Sequence, residues 1–358
     1  MNSYILVIIK FQIMAKNKKK RIFQFLLIIG TVISLFYVPW ILVYAWILPL
    51  PNSIQEEVNK AVDHGFDATI VYIDEAGKSP TFYASGWHDP KQKIPANPHA
   101  LFKIASISKL YVAVAITKLA NDKKIDLQKT VADYFPELKG KIENIDKITI
   151  KMLVQHRSGI PNFTNYPNYW ANPKETSKEK LALIYNLPAN FAPDESYEYS
   201  NTNYLLLRDL MNKTLGYSFH QYIKEEILIP LNLKNTFASL DEIENLDKIV
   251  SGYHVGYDVD LKTDKQGMIA TAQDVATFLR ALNNGSLFKN GEKEIYDELY
   301  IYNHTGLIPG YQSIAKYHKD LDAVVIQFTS PTDFKGFNWN LSEIIYNRIV
   351  KILRKKKD

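Results

Sequence analysis

The sequence predicts an α+β fold: an antiparallel sheet built from both chain ends and flanked by helices, a mostly helical lobe inserted between them, and one N-terminal transmembrane helix ahead of both. Three observations predict it. Strand-like runs lie near the two ends of the part that follows the first fifty residues, and the middle carries apolar residues at helical spacing. Residues 22–50 form 29 consecutive positions without a charge, where about 20 suffice to cross a bilayer.

From the N-terminus, Lys16, Lys18, Lys19, Lys20 and Arg21 make a basic flank before the apolar run, and the first acidic residues are Glu56 and Glu57. The positive-inside rule then keeps residues 1–21 cytoplasmic, makes 22–50 the anchor and exports 51–358. Tyr37, Trp40, Tyr44 and Trp46 suit the outer interface. A cleaved signal peptide is the rival reading, but around Ala45-Trp46-Ile47 there is no small-x-small site. The expected location is therefore the cell membrane, single-pass, with the folded domain periplasmic or extracellular and the lipid bilayer met through residues 22–50.

Beyond the anchor, Ala68–Asp74 and Thr81–Trp87 read as a β-hairpin through the turn Glu75-Ala-Gly-Lys. Helices are expected over Ser106–Ala120, Ser177–Tyr185, Asn203–Leu215, Phe219–Ile227 and Ala272–Leu282, the helical lobe running roughly over 110–265. His304–His318 and Ala323–Thr329 read as two further strands. A last helix, Asn338–Lys355, has Leu341, Ile344, Ile345, Ile349 and Ile352 on one face. Its end, Arg354-Lys-Lys-Lys357, reads as a solvated helix terminus, with contact to anionic lipid as the second reading.

Composition narrows the function. The chain has 358 residues, 46% hydrophobic and 23% charged, which excludes disorder and collagen. Its net charge of +5 comes from the basic N-terminus; Lys and Arg after Arg21 number 37 against 38 Asp and Glu. A near-neutral body lacks the basic footprint that nucleic acid requires. There is no cysteine, hence no disulfide, thiolate nucleophile or Cys-based metal site, and the eight histidines form no HExxH. No metal or organic cofactor is implied.

Chemistry concentrates in three short motifs. Ser106 and Lys109 stand at i and i+3 at the head of a helix whose continuation, Leu110-Tyr-Val-Ala-Val-Ala-Ile, is apolar on every side. Burial would lower the lysine's proton affinity until it can take the serine proton, which makes an activated nucleophile. Ser177/Lys180, Ser286/Lys289 and Ser313/Lys316 have the same spacing, but Ser177 reads as a helix N-cap, Ser286 lies in a turn and Ser313 in a strand. Tyr199-x-Asn201 follows, with Tyr166-x-Asn168 as a decoy of the same form. Tyr199 can share or relay the serine proton, and the Asn201 amide can orient Lys109 and hold a substrate carbonyl. Last, His304-Thr305-Gly306 opens a strand where the bare glycine admits a substrate backbone and Thr305 offers a hydroxyl. The Leu307 N–H joins that of Ser106 as a candidate oxyanion hole. Singly, each motif has a plainer reading as a cap or a turn; the order of the three is specific.

That order resembles the signature of the penicillin-recognising serine hydrolases: class C β-lactamases, D-alanyl-D-alanine carboxypeptidases and related esterases. Phrases such as Met152-Leu-Val-Gln-His-Arg-Ser-Gly-Ile-Pro, Gly267-Met-Ile-Ala-Thr-Ala-Gln-Asp-Val and Pro309-Gly-Tyr are similar too, from about Ala68 to Thr329. The resemblance implies a β-lactamase/transpeptidase-like fold over 51–358. It implies Ser106 as the acylated nucleophile, Lys109 and Tyr199 as the base pair, Asn201 as a substrate contact, and His304 with Thr305 as the recognition strand.

Two departures bear on the substrate. His304 stands where class C β-lactamases carry lysine, and it follows Asn201 by only 103 positions, which implies a trimmed pocket wall. The expected activity is an acyl-enzyme hydrolase acting on a small molecule or peptide. D-alanyl peptides such as the peptidoglycan stem come first and esters next; a weak β-lactamase and a non-turnover penicillin-binding sensor are the alternatives. His156 is expected to be structural, and the aromatic loop Phe163–Trp170 is read equally as a pocket wall or as an ordinary packed loop.

Overall fold

The computed structural model describes residues 2–265 and 267–357. The chain divides into two compact units, Met1–Pro49 and Leu50–Asp358. In the first, helix α1 (Asn2–Leu35) stops ahead of Pro39 and helix α2 (Trp40–Ile47) starts after it. Proline has no N–H to continue a helix and disfavours helical backbone before it. The Trp40 indole N–H closes the break by donating to the Leu35 carbonyl at 2.9 Å. The expected single transmembrane helix over 22–50 is thus corrected to two helices bent by 80°. Among the described residues no single helix is long and apolar enough to cross a membrane, whereas Lys18–Leu35 and Trp40–Ile47 together are, by length and composition.

The second unit opens with α3 (Ile54–Asp63), capped by the Ser53 side chain. The β-hairpin follows as expected, β1 (Ala68–Glu75) with β2 (Thr81–Asp89), and β3 (Ile94–Pro95) lies beyond it. A short β4 (Phe102–Lys103) leads through a 3₁₀ turn, Ala105–Ile107, into α4 (Ser108–Asn121). Then come α5 (Val131–Tyr134), α6 (Ile150–Val154), α7 (Ser177–Ala182), α8 (Asn201–Leu215) and α9 (Phe219–Ile223), which runs on as a π-helical turn over Lys224–Leu228. Strands β5 (Thr236–Phe237) and β6 (Ile269–Ala270) form a small antiparallel sheet with β4, in the order β4-β6-β5. Helices α10 (Ala272–Asn284) and α11 (Glu292–Leu299) precede β7 (His304–Ile308), β8 (Tyr311–His318), β9 (Ala323–Ser330) and α12 (Asn338–Lys357).

The large sheet has the order β3-β2-β1-β9-β8-β7, all antiparallel. Its first three strands come from one chain end and its last three from the other, and they meet at β1–β9, as the sequence predicts. Alternation along β9 separates the two faces. Val324, Ile326 and Phe328 enter the main core with α4 and α10, while Gln327 and Thr329 turn to Ser342 of α12.

Three details differ from expectation. His304–His318 is two strands, because Pro309 and Gly310 (φ 88°) supply the two central residues of a tight turn. The cap of α7 is Thr176, in a reciprocal box with Glu179, so Ser177 is the first helical residue and its hydroxyl donates to Asp209. Helices α3, α5, α6 and α11 went unpredicted: α5 and α6 are barely more than a turn, and α11 is mostly charged, with Tyr296 and Leu299 its buried apolar residues.

Candidate active site

Sheet edge and nucleophile turn are locked together by sterics. A methyl group on Gly306 would stand 2.5 Å from the Ile104 carbonyl oxygen and 2.9 Å from Ala105 Cβ, so only glycine lets β7 approach the turn that carries Ser106. The Ser313 hydroxyl on β8 donates to the same Ile104 carbonyl at 3.0 Å. Ala105 takes the left-handed conformation, φ 50°, which costs a non-glycine residue of order 1 kcal/mol and is held by this packing.

At the head of α4, Lys109 is 4% exposed, and its Nζ lies 3.2 Å from Ser106 Oγ. The Tyr199 hydroxyl donates to the same Oγ at 2.6 Å. Lys109 Nζ donates to Asn201 Oδ1 at 2.8 Å and stands over the rings of Tyr199 and Tyr204 at 4.9 and 5.4 Å. Burial, and then the charge of Arg208, holds the Lys109 ammonium well below the usual lysine range. Burial pushes the Tyr199 phenol the other way, up to about 12. The amine is thereby shifted toward its proton-accepting form, while the phenol keeps its proton.

Asn201 is fixed from three sides. Its N–H donates to Asn162 Oδ1, its side-chain amide donates to Thr164 Oγ1 at 3.1 Å, and its carbonyl accepts from Lys109. Asn162 and Thr164 escaped the sequence reading, in which that loop drew notice for its aromatics. Phe163 and Tyr169 are in fact buried in the core, as in an ordinary packed loop. His156 lies under the site, its Nδ1 accepting from the Ser200 N–H at 3.2 Å and its ring 4.6 Å from that of Tyr199. These contacts fit the structural role expected of it.

On β7 the two-residue turn closes on the Ile308–Tyr311 pair. Hydrogen-bonded pairs alternate in an antiparallel ladder, so Gly306 and His304 bond to β8 while the N–H groups of Thr305 and Leu307 face the open edge. His304 has both ring nitrogens engaged. Nδ1 bonds the Thr305 carbonyl, and Nε2 lies 3.0 Å from the Tyr300 hydroxyl. The first contact needs a proton on Nδ1, so Nε2 accepts. Burial lowers its proton affinity to about 4, so the imidazole is neutral at pH 7. Tyr300 was not singled out from the sequence; its signal was a tyrosine four residues ahead of the histidine. A cavity of about 630 Å³ opens here, lined by Tyr197, Tyr199, Tyr300, Ile301, His304 and Thr305 among others.

The layered architecture and the serine set against its edge strand define a class, the serine hydrolases of the β-lactamase/transpeptidase type. A family model of the beta-lactamases matches residues 58–306, and the chain belongs to the beta-lactamase family. Among curated relatives it is similar to protein flp of Staphylococcus aureus strain MW2, 28% identical over 193 residues, covering 52% of this chain and 39% of that protein. Penicillin-binding protein 4* of Bacillus subtilis strain 168 is 27% identical over 206 residues, 56% of this chain and 44% of that one. The matches thus span about two fifths of the length of these relatives. Among solved structures, D-amino acid amidase from Ochrobactrum anthropi SV3 in complex with L-phenylalanine amide superposes with a TM-score of 0.76 at 22% identity, covering 86% of this chain and 99% of that one. The penicillin-binding protein from Bacillus halodurans does so with a TM-score of 0.67 at 18% identity, covering 82% and 99%.

Proposed function

We propose that the chain is a membrane-anchored serine hydrolase that cleaves amide or ester bonds through an acyl-enzyme on Ser106. One observation carries it: Ser106 Oγ lies between a buried lysine amine at 3.2 Å and a phenol hydroxyl at 2.6 Å. Lys109 takes the seryl proton as Oγ bonds to the carbonyl carbon, and the N–H groups of Ser106 and Leu307 receive the oxyanion. The proton on Lys109 then passes through the Tyr199 hydroxyl to the leaving amine or alkoxide. Water releases the acid by the reverse sequence. Lys109 and Tyr199 thus divide the expected shared role into base and donor.

The neutral, doubly bonded His304 favours substrates without a free carboxylate at this edge. Neutral amides and esters rank first on that ground, the amide of the superposed amidase being such a compound, and D-alanyl peptides second. A penicillin, whose carboxylate would meet a neutral His304 on β7, would acylate Ser106 slowly and be turned over weakly.

Residues 22–50 anchor the enzyme, with the basic N-terminus in the cytoplasm and the hydrolase domain outside. The uncharged run, the basic flank and the bent pair of apolar helices support this reading. Protease added to intact cells should degrade the domain; protection until lysis would contradict the topology. For the chemistry, an amino acid amide and its free-acid peptide counterpart should be compared as substrates. Preference for the peptide acid would contradict the ranking.

A further inference from the structure

A second cation, half-buried, lies near the lysine that serves Ser106. On α8, Asn201, Tyr204 and Arg208 fall at i, i+3 and i+7, one face of the helix. That face turns to α4. Asn201 Oδ1 meets Lys109 Nζ at 2.8 Å, the Tyr204 ring lies 5.4 Å from it, and Arg208 Nη2 donates at 3.4 Å to the hydroxyl of Ser108, the residue before Lys109. Among the described residues this is the one side-chain hydrogen bond of Arg208. Its Nε is buried without an acceptor, and its guanidinium stands 5.7 Å from the Phe219 ring. Among the described residues no carboxylate is ion-paired with it. The carboxylate that acts on it, Asp209, accepts from the Ser177 hydroxyl at 2.9 Å.

The other groups around this pair do not cancel the charge. Lys180 of α7 adds to it, and His220 of α9 is held neutral, at about 4. On the lysine side, Tyr199 and Tyr204 remain protonated, and His156 and His304 are neutral, at about 3 and 4. Arginine keeps its charge across the whole working range, so its effect on a neighbour is constant.

We propose that Arg208 is a positioning residue for proton transfer at Ser106: its guanidinium, ion-paired to no carboxylate among the described residues and bonded to Ser108 beside the root of Lys109, opposes a second positive charge there and keeps the lysine amine in its proton-accepting form. Asn201 Oδ1, 2.8 Å from Nζ, is an acceptor that favours the ammonium, and a fixed positive charge in a buried site offsets it. The inference rests on the reading of Lys109 as the base.

The test uses the full chain with ¹³Cε-labelled lysine, the Lys109 resonance being identified by its loss in Lys109→Met. Its titration midpoint is compared in the unsubstituted protein, Arg208→Gln and Arg208→Lys. The midpoint should rise by about one pH unit in Arg208→Gln and stay in place in Arg208→Lys, and the acidic limb of Ser106 acylation should move with it. Arg208→Met, which retains an unbranched stem beside Phe219, answers the same question if the glutamine variant does not fold. A midpoint unmoved within about 0.2 unit, or equal shifts in the glutamine and lysine variants, would overturn the proposal. Because the midpoint is read on the resting protein, failure to form any Ser106 adduct counts against the hydrolase reading alone, and an unmoved midpoint counts against Arg208 alone.

Discussion

At the residue scale, function depends on which protons sit where. Removing the amine in Lys109→Met should slow Ser106 acylation by about 10³-fold, and Tyr199→Phe should slow release of a poor leaving group by about 10²-fold while sparing an activated ester. Stopped-flow acylation with an amide and a nitrophenyl ester separates the two; equal losses on both substrates in Tyr199→Phe would sink its role as donor. Gly306→Ala makes a steric prediction. Its Cβ would meet Ser313 Oγ at 2.4 Å and the Ile104 carbonyl at 2.5 Å, so the edge strand must retreat. Activity should vanish and stability fall by about 1–3 kcal/mol, measurable by urea unfolding. The Ser106–Lys109 step and Gly306 were legible only through the order of the three motifs, since Ser177/Lys180, Ser286/Lys289 and Ser313/Lys316 share the spacing and a lone strand glycine reads as a turn. Thr164, Tyr300 and Arg208 were not, since a loop threonine, a tyrosine and a helix arginine acquire meaning only from the partner that packing brings: Asn201, His304 and Lys109.

At the element scale, the fold closes where chain ends meet. Helix α3 is bound to α12 by a buried ion pair, Glu57 Oε1 and Oε2 accepting from Arg348 at 2.6 and 3.0 Å. Removing one partner strands a buried charge, so Glu57→Gln should cost about 3–5 kcal/mol of stability. Denaturant midpoints check it, and a loss below about 1 kcal/mol would mean the pair is solvated. Strands were readable from β-branched runs such as Ala68–Asp74 and Ala323–Thr329, and the meeting of the two ends from their common period. Helix bounds near the site were less readable. Asn201 begins α8 two residues ahead of the expected start because Asn162 and Thr164 hold it there. The bend over 36–39 had a sequence signal in Pro39, which a count of uncharged residues passes over.

For the whole molecule, acid should be the weak side. Burial holds His156 at about 3 and His220 and His304 at about 4, against an ordinary 6.5. Groups depressed on folding contribute stability that is present above pH 6.5 and is lost as pH falls toward those values. Each such histidine should cost about 1.4 kcal/mol per pH unit across that window. Melting temperature should therefore decline from pH 6.5 to 4, and His156→Gln should flatten the decline. A slope unaltered by that substitution would assign the acid loss to other groups.

The claim that Ser106 is acylated is tested most directly by intact mass of the full chain after incubation with an activated ester and, separately, a penicillin, beside Ser106→Ala. The account predicts one added acyl group per chain, absent from Ser106→Ala, decaying faster for the ester than for the penicillin. An adduct of equal yield in Ser106→Ala, or none with either compound, would contradict it.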